Sequence, residues 1–263
     1  YWKYQAEKER KLYAIIDAFS QNNAQLNVSD GSYVNTLKLF LTGISPGEYS
    51  AHRLFSNLGR QFPGAAAAIA CQMQSIDELR HVQTQIHTIS QYNKFFNGMH
   101  DFRHMHDRVW YLSVPKSYFE DAMTAGPFEA IVAISFSFEY VLTNLIFMPF
   151  MSAAAYNGDM ATVTFGFSAQ SDEARHMTLG IECIKFLLEQ DPANVPIIQR
   201  YIDKWFWRGY RLLTLVSMML DFMLPKKVMS WKEAWDIYFV QNGGSLFNDL
   251  GRYGIRMPKY WEQ

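Results

Sequence analysis

Cysteine is scarce in this chain: Cys71 and Cys183 are the only two among 263 residues. Two thiols are too few for a disulfide framework or for an iron–sulfur cluster, which usually takes four, and they suit a reducing, cytoplasmic setting. Neither sign of charge dominates, with 24 Lys plus Arg against 25 Asp plus Glu. Nothing therefore points to nucleic acid or an anionic membrane as a partner. There is no Gly-x-Gly-x-x-Gly to cradle a dinucleotide, no low-complexity tract, no short-period repeat and no flexible linker. The first residue is Tyr1 rather than methionine, and no signal-peptide pattern follows it, which points to a piece of a longer polypeptide.

Long apolar runs are also few. One segment, 130–156, carries Glu139 as its single ionisable residue and is long enough to cross a bilayer. It contains Ser135, Ser137, Thr143, Asn144 and Pro149, it lacks basic flanks, and a mid-span carboxylate is costly in lipid. A buried helix of a water-exposed protein is the better reading.

Aromatic mass and helical periodicity are abundant. The 20 Phe, 15 Tyr and 7 Trp, in a chain 49% hydrophobic, suffice for a sizeable core. Helical signals prevail and candidate strands are too scattered to form a sheet, so the expected class is all-α. Helices are predicted at about 4–22, 46–61, 64–96, 115–125, 127–157, 160–189, 196–224 and 230–243. Ser45-Pro46 and Gly126-Pro127 place proline in a first helical turn, and Phe62-Pro63-Gly64 and Asn157-Gly158-Asp159 mark breaks.

A pentapeptide occurs twice, as Asp77-Glu78-Leu79-Arg80-His81 and Asp172-Glu173-Ala174-Arg175-His176. Glutamate and histidine three apart lie on one helix face with Cβ atoms ~5–6 Å apart, close enough to reach one ion. Each copy therefore reads as half of a two-metal site. A lone Glu-x-x-His is ordinarily a solvated helix face, but two copies sharing Asp and Arg argue otherwise. Four-helix carboxylate bundles add one glutamate from each of two further helices. Glu48 and Glu139 qualify, since a lone charge on an apolar helix is hard to bury without a metal or a partner. The order then repeats: Glu48 precedes Glu78/His81 by 30 residues, and Glu139 precedes Glu173/His176 by 34. Four carboxylates would offset four of the six charges of two ferric ions, with hydroxide bridges for the rest, and hard oxygen ligands suit iron or manganese better than zinc. His52 is a competing ligand; His100, His104 and His106 read as surface or capping residues.

The stretches Gly47-Glu48-Tyr49-Ser50-Ala51-His52-Arg53, Ser75 to His81, Phe138-Glu139-Tyr140-Val141-Leu142-Thr143-Asn144 and Gln170 to His176 carry a resemblance. It continues through Trp205-Phe206-Trp207-Arg208 to Tyr253-Gly254-Ile255-Arg256. The chain resembles the large hydroxylase subunit of bacterial multicomponent phenol hydroxylases, among the soluble di-iron monooxygenases. That resemblance implies a ferritin-like four-helix bundle with additional packing helices. Residues 1–263 would be one domain, the central part of a longer subunit, with the bundle at about 46–190. Glu48, Glu78 and His81 would bind one iron and Glu139, Glu173 and His176 the other, oxo- or hydroxo-bridged, with at least one bridging glutamate. Asp77 would meet His176 and Asp172 would meet His81, orienting the rings, while Arg80 and Arg175 pair with those aspartates. Thr143 corresponds to an active-site threonine, whose alternative role is bonding its own backbone at i−4. Asn144, Gln170 and Gln85 would lie beside the cluster, and Ile44, Ala51, Phe119, Phe138 and Phe147 would wall a substrate pocket.

The activity so implied is hydroxylation of phenol or methylphenols to catechols with dioxygen. NADH-derived electrons would come from a separate FAD and iron–sulfur reductase, with a small coupling protein and beta and gamma subunits in a paired assembly. A related toluene or benzene monooxygenase is the near alternative. A ribonucleotide reductase small subunit would carry tyrosine where Gln85 stands, and ferritin-like storage does not explain the aromatic mass. The aromatic residues between Trp205 and Trp235 are expected to pack against chain or subunits lying outside these residues.

Overall fold

The computed structural model describes residues 1–28, 30–101, 104–223, 233, 236–237 and 242–261. Among them there is no strand. Helix α1 is Trp2–Gln21, α2 Gly31–Gln61, α3 Ala65–Tyr92, α4 Trp110–Thr124, α5 Pro127–Tyr156, α6 Met160–Gln190, α7 Val195–Ser217 and α8 Asn242–Gly251. The predicted helix at 230–243 lies largely outside the described residues.

Short turns make α2 and α3 one antiparallel pair and α5 and α6 the other. Their inner faces form the bundle. Phe40 of α2 stacks on Phe150 of α5 with ring centroids 4.1 Å apart, and both are fully buried. Helix α1 lies across α3 and α6, while α4 and α7 flank the other side.

Helix α2 begins 15 residues before the expected start and runs through Pro46. Pro46 forfeits the bond that its nitrogen would donate to the Thr42 carbonyl, a helix-interior cost of ~3 kcal/mol. The apolar stripe of Val34, Leu37 and Leu41 continues through Ala51, Leu54 and Leu58, all buried. Burial of that face, at about 1.5–3 kcal/mol per large side chain, outweighs the proline. Pro115 likewise sits inside α4.

Helix α5 is not regular. It widens to π-helical turns at Val132–Phe138 and again at Thr143–Phe147, on either side of Glu139. Such widenings cluster at functional sites because they re-aim side chains. Tyr118 of α4 donates 2.7 Å to the Ala133 carbonyl within the first widening. Gly209 of α7 packs closely beside it, where a Cβ would stand 3.1 Å from the Ser137 carbonyl oxygen. The whole of α5 is long and apolar, yet its most apolar stretch is 94% buried inside the protein, as a core helix is.

The expectation for the aromatic residues between Trp205 and Trp235 is corrected at its start: Trp205 and Phe206 are fully buried within this chain, whereas Phe222 is exposed, and Trp231 and Trp235 lie outside the described residues. The Trp205 ring meets Tyr118 edge-on at 5.1 Å, and its indole N–H donates 2.8 Å to Glu129. Having found aromatic and carboxylate partners in α4 and α5, it needs no outside cover.

One end of the bundle is tied by Asp159, which is fully buried. Gly158, at φ +74°, makes the turn that brings Asp159 to the start of α6. There Asp159 accepts from the Thr162 N–H at 3.0 Å, from the Tyr33 hydroxyl at 2.6 Å and from the Tyr92 hydroxyl. Replacing it removes a cap and strands two buried phenols. Asp159→Ala is expected to lower the unfolding free energy by about 3 kcal/mol, read as a lower urea midpoint; an unchanged midpoint would contradict this.

Candidate metal centre

The four expected helices bring their acids together. Glu48 of α2, Glu78 and His81 of α3, Glu139 of α5, and Glu173 and His176 of α6 are all buried, none more than 6% exposed. Two overlapping groups form, each with ligand atoms within 4.8 Å of one another: Glu48, Glu78, His81 and Glu173, and Glu78, Glu139, Glu173 and His176. Glu78 and Glu173 belong to both.

Both imidazoles turn Nδ1 inward. His81 Nδ1 stands 3.6 Å from Glu48, 3.5 Å from Glu78 and 3.6 Å from Glu173. His176 Nδ1 stands 3.2 Å from Glu78, 3.2 Å from Glu139 and 3.4 Å from Glu173. Adjacent ligands of an octahedral ion with ~2.1 Å bonds lie ~3.0 Å apart, so these spacings are those of donors around a small cation. Glu78 Oε2, Glu139 Oε2, both Glu173 oxygens and His81 Nδ1 are buried without a hydrogen-bond partner among the described residues. Groups of that kind are costly unless something binds them. The residues therefore fit a pair of metal ions.

Outward, each ring nitrogen Nε2 faces the other copy's aspartate. His81 Nε2 lies 3.2 Å from Asp172 Oδ2 and His176 Nε2 3.5 Å from Asp77 Oδ2. Arg175 donates to both aspartates, at 2.9 Å to Asp77, whereas Arg80 donates 3.2 Å to Asp77 and 3.3 Å to Glu9 of α1.

The electrostatics divide into two rings. Burial pushes Glu78 and Glu173 above the usual carboxylate range, and it pushes Glu139 up to about 8 despite the opposing charge of His176. Burial works against charge on both histidines too. The Asp172 bond to His81 with the Glu48 carboxylate nearby, and the Glu139 charge beside His176, nevertheless hold them well above the ordinary imidazole value. Burial likewise opposes ionisation of Asp77 and Asp172, yet His176 for the first, and His81 with Lys8 for the second, hold both below the usual range. The outer acids are thus charged, while burial favours the neutral form of Glu78, Glu139 and Glu173.

An apolar cavity opens onto the inner ring. Among the described residues its only polar wall is Glu48, Glu78, Glu139 and Glu173, and the space enclosed is about 50 Å3. Ile44, Ala51, Phe119 and Phe138 line it. Phe147 is buried but is not in the wall, for it stands two turns past Glu139, about 12 Å along the axis. Leu142, Ile134 and, from α7, Leu212, Leu213 and Val216 also line it. The three α7 residues carried no sequence signal beyond an ordinary apolar stripe.

Gln85 accepts from Ser45 at 2.5 Å and donates 3.3 Å to Glu48, so it steadies that carboxylate. Gln170 donates to the Met148 sulfur at 3.3 Å and is not in the cavity wall. The Asn144 side chain lies outside the described residues. Thr143 is buried at the start of the second π turn, outside the cavity wall, and its hydroxyl has no partner among the described residues. Thr36, Thr42, Thr84 and Thr88 all bond the carbonyl at i−4, so Thr143 departs from that habit. His52 bonds the Ser75 carbonyl at 2.7 Å, outside the cluster. His106, read from sequence as surface or capping, is only 7% exposed; it packs against the Gly43 backbone.

Comparison with known proteins follows the same lines. Residues 1–191 match the profile of methane/phenol/alkene hydroxylases. The phenol 2-monooxygenase oxygenase component DmpN of Pseudomonas sp. (strain CF600) is 75% identical over 100% of this chain and 51% of that protein. The alpha subunit of the alkene monooxygenase oxygenase component of Xanthobacter autotrophicus (strain ATCC BAA-1158 / Py2) is 29% identical over 98% of this chain and 52% of that protein. The crystal structure of xenon-pressurized phenol hydroxylase from Pseudomonas sp. OX1 superposes with TM-score 0.91 and 74% identity, covering 100% of this chain and 53% of that one. Toluene 4-monooxygenase, solved with toluene in its resting active site, shares the fold at TM-score 0.78 and 19% identity, over 82% of this chain and 73% of that one. The chain spans about half the length of the curated relatives it matches.

The pKa directions fix a pH response for chelator-treated protein. Glu139, at about 8 when folded, makes ionisation cost stability as pH rises from the unfolded carboxylate value. The raised histidines contribute stability below pH ~6.5 that is lost as pH climbs through their folded values. Asp77 and Asp172 stay ionised throughout. The urea midpoint of metal-free protein is therefore expected to fall between about pH 5 and 8, and that of metal-loaded protein to change little, because metal replaces the protons. A metal-free midpoint that rises over that window would contradict the assignment.

Proposed function

The chain belongs to the methane/phenol/alkene hydroxylase family, and from that premise we propose that it is the catalytic core of a phenol 2-monooxygenase oxygenase component. The observation carrying this reading is the apolar cavity whose only polar wall among the described residues is four carboxylates. Glu48, Glu78 and His81 would hold one iron and Glu139, Glu173 and His176 the other, with Glu78 and Glu173 placed to serve both. Bound there, the irons would supply dioxygen reduction and insertion of one oxygen atom into a phenol ring, giving a catechol.

The protein's own part is binding and exclusion. Phe119 and Phe138 sit edge-to-face, centroids 5.0 Å apart, and give the cavity an angled aromatic wall against which a ring can pack. Ile44, Leu142 and Val216 keep water from the carboxylates, which protects a reactive oxidant and strengthens the field inside. Asp77 and Asp172 fix the imidazole tautomers with Nδ1 free to ligate. Thr143, one turn beyond Glu139 and with a hydroxyl that has no partner among the described residues, is suited to hold or pass a proton beside the cluster.

This chain carries no dinucleotide or iron–sulfur motif, so NADH-derived electrons would arrive through a FAD and iron–sulfur reductase. A coupling protein and beta and gamma subunits in a paired assembly complete the proposal. The free thiols Cys71 and Cys183 accord with a cytoplasmic setting, and the shared core of the described helices supports one domain over 1–263. The test is product analysis with phenol and labelled dioxygen in the reconstituted system. Catechol carrying one labelled oxygen is expected; unlabelled catechol, or none, would exclude monooxygenation.

A further inference from the structure

Helix α1 buries Gln5, Leu12, Ile16 and Ser20 and packs against α3 and α6. Gln5 is the one amide among them, only 3% exposed, and such a group costs stability unless it is bonded. Its two N–H bonds go to different helices. One reaches Asp77 Oδ1 at 3.0 Å and the other Asp172 Oδ1 at 2.8 Å. The amide can face only this way, since its oxygen turned toward two carboxylates would be repelled.

Each aspartate divides its oxygens between two tasks. Oδ2 faces the other copy's histidine, and Oδ1 takes the bond from Gln5. Holding both Oδ1 atoms fixes the rotation of both carboxylates, and so the angle at which each Oδ2 meets its imidazole. Arg175 also touches both aspartates, but it is 39% exposed and uses the histidine-facing oxygen of Asp77. Lys8 reaches only Asp172, at 2.7 Å, and Tyr1 only Asp77. Gln5 alone among the described residues is buried and bonded to Oδ1 of both aspartates.

We propose that Gln5 is a positioning residue for both halves of the metal centre, acting through Asp77 and Asp172 to orient His81 and His176 together. The inference rests on the proposed metal reading of the cluster. It makes α1, which contributes no ligand, part of the site's geometry.

The test uses the full-length holoprotein with Gln5→Met, which keeps the volume and removes both donors. Leu12→Ala serves as control, loosening α1 on the same face without touching an aspartate. Ferrous-ion affinity is read by chelator competition, and the geometry of the iron pair by electron paramagnetic resonance after partial reduction. Losing a ligand's direct partner costs roughly 10–100-fold in metal affinity; Gln5 is one bond further out, so a loss of about 3–10-fold is expected, with an altered resonance. Leu12→Ala should keep the parent resonance. Should Gln5→Met not fold, Gln5→Asn, too short to span both carboxylates, carries the same expectation. Parental affinity and resonance in the Gln5 variant, or the same change in Leu12→Ala, overturns the inference alone. A parent that takes up no iron overturns the metal reading and this inference with it.

Discussion

Six carboxylates buried around one centre set the terms for everything around them. Glu48, Glu78, Glu139 and Glu173 face inward, Asp77 and Asp172 outward, and none is more than 6% exposed. Buried negative charge of that density is costly unless matched. The outer pair is matched by Arg80, Arg175, Lys8 and the two imidazoles. The inner four have the imidazoles' inner nitrogens and, for Glu48, the Gln85 amide, and several of their oxygens have no hydrogen-bond partner among the described residues. Cations at the centre are what the donor set fits.

That requirement accounts for irregularities elsewhere. Helix α5 widens on both sides of Glu139, so that one acid of an otherwise apolar helix reaches a cluster built by three others. The freed backbone is held by Tyr118, whose ring also packs against Phe138 at 5.6 Å. The wall of the apolar cavity and the shape of the ligand helix are thus fixed by the same side chain. A substrate lying in the cavity would touch residues that also decide where Glu139 points.

The doubled pentapeptide and the two lone glutamates were legible because ligand chemistry leaves strong local marks: Glu-x-x-His at helical spacing, and a single charge on an apolar helix. Their gathering in one place follows from periodicity. Pro46 was read as a helix start because local propensity says so, whereas tertiary burial carries α2 straight through it. His106 was misplaced at the surface because its neighbours in sequence are polar, although it packs against α2. Gln5 left no mark. Its partners lie in α3 and α6, and nothing about a glutamine near the start of a polar helix announces two aspartates. Leu212, Leu213 and Val216 were hidden for the opposite reason, since a cavity wall and an ordinary core stripe look alike in sequence.

The most direct measurement is anomalous scattering at the iron edge from crystals of the full-length protein grown with ferrous iron. Two peaks are expected, one bounded by Glu48 and His81 and the other by Glu139 and His176, with Glu78 and Glu173 within reach of both. A single peak, peaks away from these six residues, or none would contradict a two-metal centre here.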